Sequence, residues 1–152
     1  MAHVIEKLRQ DHEKVAQLFE KLAKTGNGSA SGREELCRQL IAELEAHAEF
    51  EEQVFYPAVQ KAGDEAEEEV EEAVDEHQEV KDMLAQLASM DVEDDEFLEL
   101  VGELQEAVET HVQHEEDDIF PLAEEELETS EATQMAQQHD TMVKEYMQQH
   151  AG

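Results

Sequence analysis

His47-Ala48-Glu49-Phe50-Glu51-Glu52-Gln53-Val54-Phe55-Tyr56-Pro57 returns in altered form as His111-Val112-Gln113-His114-Glu115-Glu116-Asp117-Asp118-Ile119-Phe120-Pro121. Both stretches read His-x3-Glu-Glu, then Phe and Pro. Residues four apart share one face of a helix, so each spacing puts an imidazole and a carboxylate side by side. The same local chemistry is built twice, and the rest of the fold follows from what surrounds it.

Outward from these motifs, apolar residues recur at spacings of three and four. One seam runs Leu40, Leu44, His47, Glu51, Val54; another runs Phe97, Val101, Leu104, Val108, His111, Glu115, Ile119 or Asp118, Leu122. A third reads Ile5, Leu8, His12, Val15, Phe19, Leu22, and a fourth Val70, Val74, His77, Val80 or Lys81, Leu84, Leu87. Such stripes belong to helices that bury one face. Only two prolines and six glycines interrupt the chain. Thr25–Gly32 reads as a flexible loop, Gly63-Asp64 as a stop followed by an N-cap, and Met90–Asp94 as a short turn. Thr129-Ser130-Glu131 opens a last helix. The segments are then about 3–24, 33–61, 65–90 and 94–120, with a shorter one near 131–149. Pro57 and Pro121 are expected to end or kink their helices. No alternating stretch bounded by hairpin turns suggests a strand. The expectation is an all-α, antiparallel up-and-down four-helix bundle with a short fifth C-terminal helix. The whole chain, 1–152, is read as a single domain, with the bundle over about 3–122 and the C-terminal helix over about 131–149.

Composition narrows the function. Of 152 residues, 42 are acidic and 10 basic, giving a net charge of −32. Nucleic acid and anionic membrane surfaces are excluded as partners by that charge. No apolar run approaches the ~18 residues of a membrane span. The start, Met1-Ala2-His3-Val4-Ile5-Glu6, lacks the pattern of a signal peptide. Hydrophobic residues make up 39%, regularly spaced, which argues against disorder. The single cysteine, Cys37, reads as a small buried thiol and agrees with a reducing cytoplasm.

Every seam carries one histidine: His12, His47, His77 and His111. Two add a glutamate one turn later, Glu51 and Glu115. In an antiparallel bundle these six can lie at one level. Burying them unpaired costs several kcal/mol each in effective terms, a cost that a metal centre offsets. Imidazole with carboxylate suits Fe, Mn or Zn, and no seam cysteine points to structural zinc or an iron–sulfur cluster. One seam histidine alone would be an ordinary hydrogen-bonded core residue; four with two glutamates are hard to read that way. His3 and His150 read as solvated, and His114 as solvated or supporting. His139, on the stripe Met135, His139, Met142, Tyr146, reads as packing the last helix onto the bundle, or otherwise as supporting the site or lining its pocket. The ferritin-like pattern of Glu-x-x-His is absent, since Arg9, Leu44, Val74 and Val108 stand three before the four histidines. The zinc-protease pattern His-Glu-x-x-His is absent too.

Asp11-His12, His47-x3-Glu51, Glu76-His77 and His111-x3-Glu115, in that order on four helices, resemble the hemerythrin-like, or HHE cation-binding, domain over about residues 3–122. The resemblance implies a non-haem centre of two Fe ions, bridged by oxo or hydroxo and by carboxylates. By that likeness His12 and His47 serve one iron, His77 and His111 the other, and Glu51 and Glu115 bridge.

The likeness has departures. Oxygen-carrying hemerythrins have a further histidine where this chain has Lys81, and their last bridging carboxylate is an aspartate five after its histidine. Here Glu115 stands at four and Glu116 at five, and Glu115 repeats the Glu51 spacing. The set is thus one ligand short. The open position would admit water, peroxide or nitric oxide, or Tyr56 would swing in as a phenolate; otherwise Tyr56 packs beside Pro57. Two readings follow: a protein that binds O2 or related small ligands (peroxide, NO), or a di-iron enzyme with catalase/peroxidase-like or NO-detoxifying activity. The first expects an apolar pocket of Phe50, Phe55, Val108, Ile119 and Phe120. The second expects a proton from Lys81, His114 or Tyr56. A third is iron or oxygen sensing through a partner. A cytoplasmic monomer is favoured, with the remaining acids as a solvated coat.

Overall fold

A computed structural model describes residues 3–25 and 30–149. Five helical rods account for nearly all of them. Helix α1 spans Val4–Ala23. Helix α2 runs Ala30–Phe50, passes through a π-turn at Glu51–Phe55 and resumes over Tyr56–Gln60. Helix α3 spans Asp64–Ser89. Helix α4 runs Phe97–His114, then a π-turn at Glu115–Ile119, then Phe120–Glu126. Helix α5 spans Thr129–Gln149. The first four form the antiparallel bundle, α1 packed on α2 and α3 on α4, and α5 lies against α1 and α2. No strand occurs among the described residues, and no described helix is long and apolar enough to cross a membrane.

The helix ends have local causes. The His3 imidazole accepts from the Ile5 amide while Glu6 reaches back to the His3 amide, a reciprocal cap for α1. His3 is therefore half-buried and capping, where the sequence suggests only solvation. Gly63 is itself the residue before α3, at φ 130°, a conformation that favours glycine. The N-cap thus falls one residue before Asp64. Asp91 and Asp94 accept from the amides of Glu93 and Glu96, and α4 starts only at Phe97. The loop expected at Thr25–Gly32 is shortened by α2, which begins at Ala30; Gly26–Ser29 and His150 lie outside the described residues.

The prolines neither stop nor sharply break their helices. Each follows a π-turn, in which Tyr56 and Phe120 donate to carbonyls five residues back, on Glu51 and Glu115. Pro57 and Pro121 have no N–H to give and would crowd the carbonyl four back; a widened turn accommodates both defects. One extra residue also rotates everything downstream by about 100°. Phe55 therefore takes the buried place that regular spacing gives to Val54, which is only partly buried. On α3 the seam shifts as well: Ala73 is buried, whereas Val74 is exposed.

Two apolar clusters build the core. One gathers Leu8, Phe50, Phe55, Tyr56, Val70, Ile119, Phe120 and Met135. The other gathers Val15, Phe19, Leu40, Leu44, Leu84, Phe97, Leu104 and Val108, with Cys37 buried among them. At its far end Arg33 is buried, donating to the carbonyls of Val92 and Thr25 and lying over the Phe97 ring, which ties two loops together. Between the clusters lies the polar layer.

Candidate metal centre

All six residues singled out from the sequence meet in that layer. Glu51 and Glu115 are fully buried, and His47, His77 and His111 nearly so. The His12 side chain is 10% exposed. His12 Nε2 lies 3.1 Å from Glu115 Oε1, and His47 Nε2 3.1 Å from Glu51 Oε1. His77 Nε2 lies 3.0 Å from Glu51 Oε1, and His111 Nε2 3.4 Å from Glu115 Oε1. Each glutamate therefore touches histidines of both halves of the bundle. The donor atoms form two groups within reach of one ion each: His12, His47, Glu51 and Glu115, and Glu51, His77 and His111.

Every one of the four imidazoles turns its Nδ1 toward a carboxylate. His47 Nδ1 is 2.8 Å from Asp11, and His111 Nδ1 is 2.9 Å from Glu76. His77 Nδ1 is 3.3 Å from Glu52, and His12 Nδ1 is 3.6 Å from Glu116. The Asp11-His12 and Glu76-His77 pairs explain themselves here: each acid serves the histidine of the neighbouring helix. An Nδ1–H donated outward leaves the Nε2 lone pair facing inward, which is how metal-binding imidazoles are held. Glu52, the second acid of the first motif, supplies the same support to His77, whereas Glu116, at 3.6 Å, leaves His12 Nδ1 buried without a hydrogen-bond partner. The repeated Glu-Glu was the signal for them.

The donors fit an ion. His77 Nε2 and His111 Nε2 stand 2.9 Å apart, where two bare lone pairs repel unless a proton or a cation lies between. His47 Nε2 and Glu51 Oε2 are buried without a hydrogen-bond partner. Without a metal, protons do the balancing. Burial works against a charged His47, but the Glu51 charge, the bond to Asp11 and the nearby Glu115 carboxylate raise its pKa well above the ordinary value. Burial likewise opposes His111, which Glu115, Glu51 and Glu76 nonetheless push up to about 10. Burial would raise Glu51, yet the His47 charge and neighbouring hydrogen bonds carry it well below the carboxylate range.

Tyr56 joins the layer. The π-turn swings its ring inward, so that its hydroxyl donates to Glu115 Oε2 at 2.7 Å and lies 3.2 Å from both Glu51 Oε1 and His77 Nε2. Burial, then the charges of Glu51 and Glu115, hold the phenol protonated. Phe120 fills the equivalent place after the second π-turn and stacks on His12 at 5.9 Å. Lys81 stays outside: its ammonium pairs with Glu52 at 2.7 Å.

A cavity of about 40 Å³ adjoins the layer, lined by Val15, Leu44, Val80, Leu84 and Val108 together with the imidazoles. That volume suits one or two atoms the size of water. Of the expected pocket only Val108 belongs to it. Phe50, Phe55, Ile119 and Phe120 pack instead into the other cluster. His114 is neither free nor at the centre: it bridges Glu76 at 2.9 Å and Glu69.

The sequence profile of the hemerythrin HHE cation-binding domain matches residues 3–123 and again 76–151. The chain belongs to that family. An uncharacterized hemerythrin-like protein of Schizosaccharomyces pombe is 29% identical over 90% of this chain and 66% of its own length. A protein of a Nostoc species named DNA nickase is 32% identical over 85% of this chain but only 36% of its own length. The chain thus spans about two thirds and one third of these curated relatives. A crystal structure of a hemerythrin HHE cation-binding domain-containing protein from Mycobacterium kansasii superposes with a TM-score of 0.83, at 23% identity, over 96% of this chain and 88% of that one. Family, fold and donor clusters together make this a metal-binding, hemerythrin-like protein.

Proposed function

We propose that the chain, as a single domain, holds two iron ions and binds O2 or a related small ligand, peroxide or nitric oxide, beside them. His12 and His47 would hold one ion, His77 and His111 the other, with Glu51 and Glu115 shared. The observation that carries this is the contact of each buried glutamate with histidines of both halves. The ions, when bound, supply an open coordination position and the electrons for ligand binding. The protein's own part is to exclude water. Val15, Leu44, Val80, Leu84 and Val108 line the approach, and Phe55 and Phe120 seal the opposite side.

One observation favours an enzyme as the second reading. The Tyr56 hydroxyl lies within hydrogen-bonding distance of both groups of donors, so an O–H proton is available at the donor layer itself. Lys81 and His114, occupied by Glu52 and by Glu69 and Glu76, are less well placed for that role. Metal analysis of the purified chain tests the first claim: about two irons per chain are expected, and none would defeat it. O2 added anaerobically to the reduced protein separates the two readings. A reversible visible band supports binding, whereas oxygen evolved from added peroxide supports catalysis.

Nucleic acid is not proposed as a partner despite the nickase relative, because a charge of −32 opposes approach to phosphates. A cytoplasmic setting is proposed from the single buried thiol, Cys37.

A further inference from the structure

The two halves of the centre differ in what holds their outer carboxylates. Glu76, which orients His111, is held by His114, three residues further along the same helix α4. Asp11, which orients His47, is held by His139 from α5, 128 residues away in sequence. A single oxygen, Asp11 Oδ2, lies 2.8 Å from His47 Nδ1 and 2.6 Å from His139 Nε2. His139 is only 5% exposed, on an apolar face with Ala132, Met135 and Ala136. Its ring stands edge-on to Phe50 at 5.0 Å, and its Nδ1 lies 3.2 Å from Asp140, which in turn pairs with Lys7 of α1. A buried imidazole on such a face is costly without a partner, and Asp11 is that partner.

We infer that His139 is a positioning residue for the His12/His47 half of the centre, so that the docking of α5 and the metal affinity of that half are one coupled equilibrium. This rests on the two-metal reading above. An imidazole ligand is aimed by the group that accepts from its other nitrogen, and loss of such support costs about 10–100-fold in metal affinity. In the His77/His111 half the support comes from Glu52, Glu76 and His114, on α2, α3 and α4, and does not depend on α5. Coupling is reciprocal: metal in the first half must tighten α5 as much as α5 tightens the metal.

The test is an anaerobic titration of the metal-free full chain with Co(II), and separately Fe(II), following the visible absorption of the cobalt form. The unaltered chain takes up two equivalents. His139→Leu keeps the bulk and removes the donor; one equivalent weakens about 10–100-fold while the other is unchanged. His139→Gln, whose amide can still donate to Asp11, restores most of the loss. Equal weakening of both equivalents, or of neither, overturns the inference. If His139→Leu does not fold, hydrogen exchange on the unaltered chain decides instead. Metal loading is expected to slow amide exchange in α5, and equal exchange with and without metal overturns the coupling. An unaltered chain that binds no metal defeats the two-metal reading itself, which is a separate and recognisable result.

Discussion

Tyr56 and Phe120 occupy equivalent positions, each the first residue after a π-turn, and only Tyr56 brings a hydroxyl into the layer of histidines. Tyr56→Phe therefore makes these two positions alike, at a cost of about 1.5–3 kcal/mol for the hydrogen bond lost by the buried Glu115 carboxylate. A ligand-binding protein should keep its reversible spectrum in this variant. An enzyme drawing its proton from the phenol should lose about 10²–10⁴-fold in peroxide turnover. Stopped-flow kinetics beside the O2 spectrum of the same sample makes the choice.

Glu51 and Glu115 each contact both halves, whereas each histidine serves one. Glu51→Ala should abolish loading of both ions, and His47→Ala should abolish the two-ion state. His12→Ala should leave up to one equivalent, in the half that His77 and His111 form. Iron content per chain after anaerobic loading measures this; two ions retained in Glu51→Ala would refute the shared role.

The small cavity can be filled without touching a ligand. Val108→Phe intrudes on about 40 Å³ of space and should destabilise the chain by about 1–3 kcal/mol through overpacking. Metal content should hold while added azide or nitric oxide binds at least tenfold more weakly. Unchanged ligand affinity would place the entry route elsewhere.

The metal-free protein should be most stable in mildly acidic solution. His111 is raised to about 10 when folded, against an ordinary value near 6.5, so its contribution is complete below pH 6.5 and fades as pH rises toward 10. Asp11, despite burial, is lowered to about 2 by His139 and His47, so its contribution is complete above its ordinary 3.8 and fades as pH falls toward 2. Melting temperatures of the metal-free chain should therefore peak between about pH 4 and 6.5. A bound metal ion would displace the imidazole protons, so loading should flatten the alkaline decline. An alkaline decline of equal depth in the loaded protein would contradict this.

Much of this was legible in the residues because the helical period is so regular. Four seams, each with one histidine in place of an apolar residue, specify both the bundle and the level at which its polar layer lies. The π-turns were not legible: nothing in Glu51–Phe55 or Glu115–Ile119 marks a widened turn except the proline that follows. A regular helix therefore gives Val54 the core place, leaves Tyr56 either beside Pro57 or at the centre, and aims Phe55 and Phe120 at the pocket. The partner of His139 is hidden for another reason. Asp11 is 128 residues away, and no spacing rule links a fifth helix to the first.

The π-turn after Glu51 sets the phenol independently of the ligand set. Wound as a regular helix, the same residues would carry the phenol about 100° away, with all six histidines and glutamates left in register. Deleting one residue between Glu51 and Tyr56 would instead return a regular helix with the phenol still facing the centre, so the winding of one turn decides whether a hydroxyl meets an unchanged donor set.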